Sequence, residues 1–263
     1  MPLAVIYSRA SVGIEALPVV VEADLSPGLP AFSIVGLPET VVKESRDRVR
    51  SALLNSQFEF PARRITINLA PVDLPKVGGR FDLPIALGIL AASKQIPMHR
   101  LAEHEFAGEL ALNGDLRSIQ GSLPFALATR AAKRKLIIPF DNADEASIPE
   151  NIEVLPANHL LEICAYLSGQ KPLKKHHRKP PQVSSSTIPD MSDIRGQHHA
   201  RRALEIAAAG EHSLLMVGSP GTGKTMLASR LPGILPPMTE MQALQSAAIA
   251  STHGQSFEVA RWR

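Results

Sequence analysis

The sequence predicts two α/β units in tandem, a mixed α/β domain followed by the first part of a phosphate-loop domain. Three observations predict it. Short β-rich runs alternate with amphipathic helical patterns up to about residue 170. The stretch "KPLKKHHRKPPQVSSSTIP", Lys171 to Pro189, then has no hydrophobic period and reads as a linker. Beyond it an apolar run at Ser213 to Val217 enters "GSPGTGKT" and a second helical pattern, the strand, loop and helix order that phosphate binding requires. The expected divisions are therefore 1–170, 171–189 and 190–263.

In chain order, Leu17 to Asp24, Ala31 to Gly36 and Arg64 to Ala70 read as strands, the last with Ile65, Ile67 and Leu69 on one face. Between the second and third, Thr40 caps a helix to about Asn55. Its apolar stripe is Val41, Val42, Val49, Ala52 and Leu53, with Lys43, Arg46, Asp47 and Arg50 towards water. A helix at Asp82 to Ser93 is apolar nearly all round and is expected to be buried. A third fits Ser122 to Lys133, a strand Lys135 to Phe140, and a closing helix His159 to Leu167. Gly108, Gly114 and Gly121 read as turn glycines without chemistry. After the linker, a helix at Gln197 to Ala209, the strand Ser213 to Val217 and a helix from Lys224 frame the glycine loop.

Composition narrows the classes. The chain has 263 residues, 44% apolar and 20% charged, as in a globular protein and unlike a disordered one. Its longest apolar or glycine run, Leu83 to Ala92, is half of the ~20 residues a membrane span needs. No membrane partner is expected. The N-terminus lacks a basic start followed by a long apolar region, and the single cysteine, Cys164, can form no intramolecular disulfide, so a cytoplasmic location is expected. The basic excess is local: residues 1–170 hold 16 Lys+Arg against 19 Asp+Glu, residues 171–189 hold 5 against 0, and residues 190–263 hold 7 against 6. Two readings of the linker follow, an extended solvated tether or one that also holds DNA phosphates through Lys174, Lys175, Arg178 and Lys179.

The loop Gly218, Ser219, Pro220, Gly221, Thr222, Gly223, Lys224, Thr225 carries the most specific chemistry. Its glycines let backbone N–H groups turn inward around phosphates, where a side chain would block the approach. Lys224 is expected to reach the β/γ oxygens of ATP, and the Thr225 hydroxyl to hold Mg²⁺. Hydrolysis also needs a carboxylate after an apolar strand. Behind Thr225 the only acids are Glu240 and Glu258, neither placed that way. Nucleotide binding is expected, with turnover left open.

The passage Val41 to Ala92, "VVKESRDRVRSALLNSQFEFPARRITINLAPVDLPKVGGRFDLPIALGILAA", resembles the N-terminal region of the ComM or YifB family of magnesium-chelatase-like proteins. Asp193 to Thr225 is similar to the start of that family's AAA+ module. The resemblance implies a ribosomal-S5-like, Lon-protease-like first domain, ATP and Mg²⁺ as cofactors, a homo-hexamer, and branch migration on single-stranded or branched DNA during natural transformation and recombination. It also implies lost peptidase chemistry: an ungapped comparison with Lon-type peptidases puts Arg80 at the serine position and Leu123 at the lysine position, so the domain reads as a non-peptidase scaffold, the alternative being a shifted pair such as Ser122 with Lys76. By analogy with the Lon-like domain of RadA, Arg63, Arg64, Lys76 and Arg80 are candidates for DNA phosphates; otherwise Arg80 pairs with Asp82 and Arg63 and Arg64 are solvated. The pairs His176/His177 and His198/His199 lack metal-site spacing and read as surface residues. Two rivals stay open, a chelatase-like remodeller of a protein complex and a structural module with a vestigial loop.

Overall fold

A computed structural model describes residues 3–36, 40–76, 78–177 and 189–252. The chain divides into two units, Met1–Pro181 with Leu244–Trp262, and Gln182–Ala243 with Arg263.

The first unit is a mixed α/β fold on a seven-stranded, mostly parallel sheet. Its strands are β1 (Ala4–Val12), β2 (Glu15–Ser26), β3 (Ala31–Val35), β4 (Arg64–Ala70), β5 (His104–Phe106), β8 (Lys135–Pro139) and β9 (Val154–Ala157), in the order β3-β4-β2-β1-β5-β8-β9. A small hairpin, β6 (Glu109–Leu110) with β7 (Leu116–Arg117), stands beside it. Within the seven-stranded sheet, among the described residues, only β1 with β2 and β2 with β4 are antiparallel. The helices are α1 (Thr40–Asn55), α2 (Asp82–Ala92), α3 (Ser122–Ala131), α4 (Ala143–Ala146) and α5 (Leu160–Leu167).

Local sequence accounts for these elements. Ile65, Ile67 and Leu69 of β4 are fully buried, while Arg64, Thr66 and Asn68 between them are not, the period-two pattern of a strand with one face on the core. All eleven residues of α2 are buried, as its all-round apolar sequence requires. The helix lies so close to the sheet that a Cβ on Gly88 would stand 3.0 Å from the Cβ of Ala23. Val49, Ala52 and Leu53 of α1 face the same core, and Arg46, Asp47 and Arg50 face water. The expected cap by Thr40, and the side chains of Val41, Val42 and Lys43, lie outside the described residues. Cys164 sits buried in α5, and burial pushes its thiol up to about 12. Thiolate chemistry is thereby suppressed at neutral pH.

The stretch following α5 stays close to the first unit at its start. Leu173 packs on the main core, and the backbone N–H of His176 donates to the Val154 carbonyl at 2.9 Å. The His176 ring also meets Asp144 at 2.7 Å, so it is not the free surface histidine the sequence suggested.

The second unit contains α6 (His198–Ala209), α7 (Lys224–Ala228) and α8 (Leu231–Ile234), and α9 (Glu240–Thr252) begins in it. The expected buried strand at Ser213 to Val217 is not formed. Leu215 and Val217 are 86% and 87% exposed, and only Met216 of the segment packs on the unit's small core. A strand persists where a neighbour takes up its N–H and C=O groups, and among the described residues this unit has no second strand. Among the described residues, no helix is long and apolar enough to cross a membrane.

Candidate functional site

The glycine loop of the second unit is anchored at both ends. Met216 before it and Leu227 after it pack with Met191, Ile194 and Leu204. Between these anchors Gly221 and Gly223 adopt φ of 84° and 86°, the left-handed region where a side chain is strained, with open space around each Cα. The Thr222 hydroxyl donates to the Ser219 carbonyl at 2.9 Å and holds the turn. Lys224 folds back over the loop, its Nζ donating to the carbonyls of Gly218 and Ser219 at 2.8 Å each. These are neutral acceptors at a partly open site. A phosphate oxygen forms a stronger, charge-assisted bond to the same ammonium. The residues therefore fit the β/γ phosphates of a nucleoside triphosphate, with exposed Thr225 at hand for Mg²⁺. Glu240 opens α9 in its first turn and follows no strand, while Glu258 lies outside the described residues.

A second glycine stretch, Pro75 to Asp82, leads into α2 in the first unit. Here every charge is taken up internally. Lys76 is fully buried, and its ammonium donates to the carbonyls of Gly36 and Leu74 at 3.1 Å each and to that of Pro71. Burial pushes this lysine below its usual range, with Asp73 opposing. Arg80 is 9% exposed and donates to the Ser11 hydroxyl at 2.5 Å and the Gln120 carbonyl at 3.2 Å; burial lowers its affinity for the proton. Asp82, fully buried, accepts from Arg48 at 2.8 and 3.3 Å and from the Leu110 N–H at 3.2 Å. Burial raises the Asp82 carboxyl and the Arg48 pair opposes it; the same pair raises Arg48. Both shifts describe one arrangement, a buried carboxylate held against the cost of burial first by the Arg48 guanidinium and then by hydrogen bonds from Ser45 and the Leu110 N–H.

At the peptidase positions, Arg80 carries the contacts just given and Leu123 is buried in α3 with its N–H on Glu145 at 3.2 Å. The shifted pair is not assembled: the Ser122 hydroxyl is buried and has no hydrogen-bond partner among the described residues, and Lys76 is committed to its carbonyls.

Comparison with known proteins matches both units. Residues 21–142 match the model of subunit ChlI of magnesium chelatase, and residues 190–263 match a second model, magnesium chelatase, subunit ChlI. The chain is 52% identical over 267 residues to competence protein ComM of Haemophilus influenzae and 49% identical over 264 residues to the protein YifB of Escherichia coli, covering 100% of this chain and 52% of each relative. The chain belongs to the ComM/YifB family of magnesium-chelatase-like proteins. It spans about half the length of these relatives. A shorter stretch of 56 residues, 20% of this chain and 8% of the other protein, is 39% identical to the archaeal Lon protease of Halobacterium salinarum.

Within this ComM/YifB chain the DNA-contact candidates separate. Lys76 and Arg80 are corrected: Lys76 is fully buried and its ammonium is bonded to the protein's own carbonyls, and Arg80 is buried with donors already committed to Ser11 and Gln120. The alternative pairing of Arg80 with Asp82 is also replaced, since Asp82 takes Arg48. Arg63 and Arg64 are exposed where β4 begins, and Lys174 and Lys175 are exposed after α5. Arg178 and Lys179 lie outside the described residues. Among the described residues no group of histidine, cysteine and carboxylate side chains could hold a metal ion.

Two polar clusters escaped the sequence reading. Besides Arg48 with Asp82, buried Glu105 accepts from Arg9 at 2.6 and 2.8 Å, from Thr129 at 2.7 Å and from Arg134 at 3.2 Å. The available signal was an acid beside apolar residues, as in "HEF" and "FDLPIAL": a carboxylate carried into a core brings a cation with it.

Proposed function

We propose that this chain is the nucleotide-binding front part of a AAA+ DNA motor of the ComM type, which migrates branches during recombination and natural transformation. The observation that carries the reading is the loop of Gly218 to Thr225, with the Lys224 ammonium held at its mouth on exchangeable carbonyls. Similarity over the whole of this chain to about half of a competence protein directs it towards DNA. In this reading the first unit is a Lon-like, ribosomal-S5-like scaffold without peptidase chemistry, and the whole protein is a cytoplasmic homo-hexamer. ATP supplies the free energy, Lys224 holds its phosphates, and the Thr225 hydroxyl holds the Mg²⁺ that accompanies them.

The test is binding of forked and single-stranded DNA and of Mg·ATP by this chain. DNA affinity should fall steeply with salt, and Lys224→Ala should remove ATP binding. Absence of DNA binding at about 50 mM salt overturns the motor reading. Both matching models carry the magnesium chelatase name, which favours a second reading, a remodeller of a protein complex. That reading predicts nucleotide binding indifferent to DNA and a co-purifying protein partner.

A further inference from the structure

A cleft of about 570 Å³ opens in the first unit between α1, the start of β3 and the segment Phe60 to Arg63. Its size is in the range that holds one small ligand or nucleotide unit. The floor is aromatic: the rings of Phe32 and Phe60 lie 5.9 Å apart, and the Arg50 guanidinium covers the Phe60 ring at 5.1 Å from its centroid. Arg46 and Arg63 line the same cleft, with Asp47 as its one acid. Asp47 is 3.3 Å from Arg46, so three guanidinium groups face one carboxylate that is already engaged. Among the described residues, neither Arg50 nor Arg63 has an ion pair or a side-chain hydrogen bond.

Ordinary surface charge does not require this arrangement. An exposed arginine beside a carboxylate gains a little from pairing; here Arg50 lies over the Phe60 ring instead, and Arg63 lines the cleft without an ion pair among the described residues. A planar guanidinium over a phenyl ring extends a platform on which another planar group stacks, while the N–H groups at its edge are free to donate to anions. A ligand with a flat face and a nearby negative charge uses both features at once. A nucleotide has that chemistry in every unit of a single strand, whereas in a duplex the bases are stacked on one another and unavailable. An acidic peptide running along edge strand β3 meets the charge but has no use for the ring platform.

We propose that this cleft is a subsite for single-stranded DNA, with a base stacked on the platform of Arg50 and Phe60 and with Arg46 and Arg63 on the flanking phosphates. The proposal rests on the reading of the chain as a DNA-handling protein and deepens it. It also reassigns contact within the first unit: Arg63 remains from the residues expected by sequence, while Arg46, Arg50 and Phe60 replace Lys76 and Arg80.

The experiment is fluorescence anisotropy of a labelled oligonucleotide, single-stranded and as its duplex, over a range of salt. Phe60→Leu should weaken single-strand binding about tenfold and leave the duplex within about twofold. Arg63→Gln, at an exposed position, should lower the salt slope for the single strand by about 0.7, and Arg50→Gln, also exposed, should weaken single-strand binding through loss of the platform while leaving the duplex within about twofold. Lys174→Gln with Lys175→Gln should weaken single strand and duplex alike. Variants at Phe60, Arg50 and Arg63 that bind the single strand as the parent does overturn the subsite while the DNA reading stands. A parent chain that binds no DNA overturns both. Variants that lose an Asp/Glu-rich peptide but keep the oligonucleotide also overturn the subsite, in favour of a peptide groove.

Discussion

Pro75 to Asp82 and Gly218 to Thr225 are each eight residues long, rich in glycine, and followed by a helix, and each carries one lysine whose ammonium rests on backbone carbonyls. The first is closed and the second open. Lys76 is fully buried with three carbonyl partners, whereas Lys224 is partly exposed with two, at a loop whose other side chains face water. The difference teaches that a glycine loop with a lysine becomes a ligand site only if the ammonium can exchange its partners. Desolvation has already been offset inside the first loop by a fixed set of oxygens, and a phosphate arriving there would have to displace the fold itself.

The comparison breaks most visibly by substitution at Lys76. Lys76→Met keeps the side-chain length and leaves three part-buried carbonyls, those of Gly36, Pro71 and Leu74, without their donor, so the first unit should lose about 3 kcal/mol, read as a lower urea midpoint in circular dichroism. An unchanged midpoint would show that the ammonium is not part of the fold, and the closed character of the loop would be lost with it. Arg48→Met should cost a similar or slightly smaller amount, about 2–3 kcal/mol, because it leaves Asp82 unpaired but free to take up a proton. The double change Arg48→Met with Asp82→Leu should recover part of that loss, since it removes the buried charge together with its partner.

At the open loop the same kind of change should act on binding instead. Lys224→Ala is expected to alter stability by no more than about 0.5 kcal/mol, as at exposed sites generally. It should weaken binding of a fluorescent ATP analogue about 10- to 100-fold, the equivalent of one charge-assisted hydrogen bond. Equal nucleotide affinity in the variant would make the loop vestigial and leave the chain a structural module.

Sequence period and sequence chemistry were unequally informative across these regions. β4, α2 and the glycine loop could be read directly because one local rule decides each: alternation, an all-round apolar helix, and a spacing of glycines before lysine and threonine. The roles of Lys76 and Arg80 could not. Both Arg80 partners, Ser11 and Gln120, are 69 and 40 positions away, and the Gly36 carbonyl that closes the set around Lys76 is 40 away; Pro71 and Leu74 are local, but no local pattern distinguishes a lysine that closes on such carbonyls from one that faces DNA. The segment Ser213 to Val217 erred in the other direction. Its composition is that of a buried strand, but a strand needs a neighbour as well as a composition. The cleft at Phe60 was missed for the same reason as Lys76: Arg50 and Phe60 lie on different elements, and only packing brings them together.

The smallest effect tests whether closure extends to His104, where β5 begins. The ring is 1% exposed, with Nδ1 2.7 Å from the Arg100 carbonyl and Nε2 3.0 Å from the Tyr166 hydroxyl. A carbonyl only accepts, so Nδ1 carries the hydrogen and Nε2 accepts from the tyrosine, which satisfies the neutral ring completely. Burial accordingly pushes the imidazole below its ordinary 6.5; the Arg100 hydrogen bond opposes this, Lys135 adds to it, and Glu103 and Glu153 also oppose it. With the folded value below the unfolded one, the unfolded chain binds more protons in the interval between them. Stability should therefore be full above pH 6.5 and decline as pH falls towards the folded value, flattening below it. His104→Gln should remove that part of the slope in urea midpoints measured from pH 7.5 to 5. An unaltered slope in the variant would move the titration to another group, and His104 would then be a packed ring whose protonation the fold tolerates, closer in character to the open loop than to Lys76.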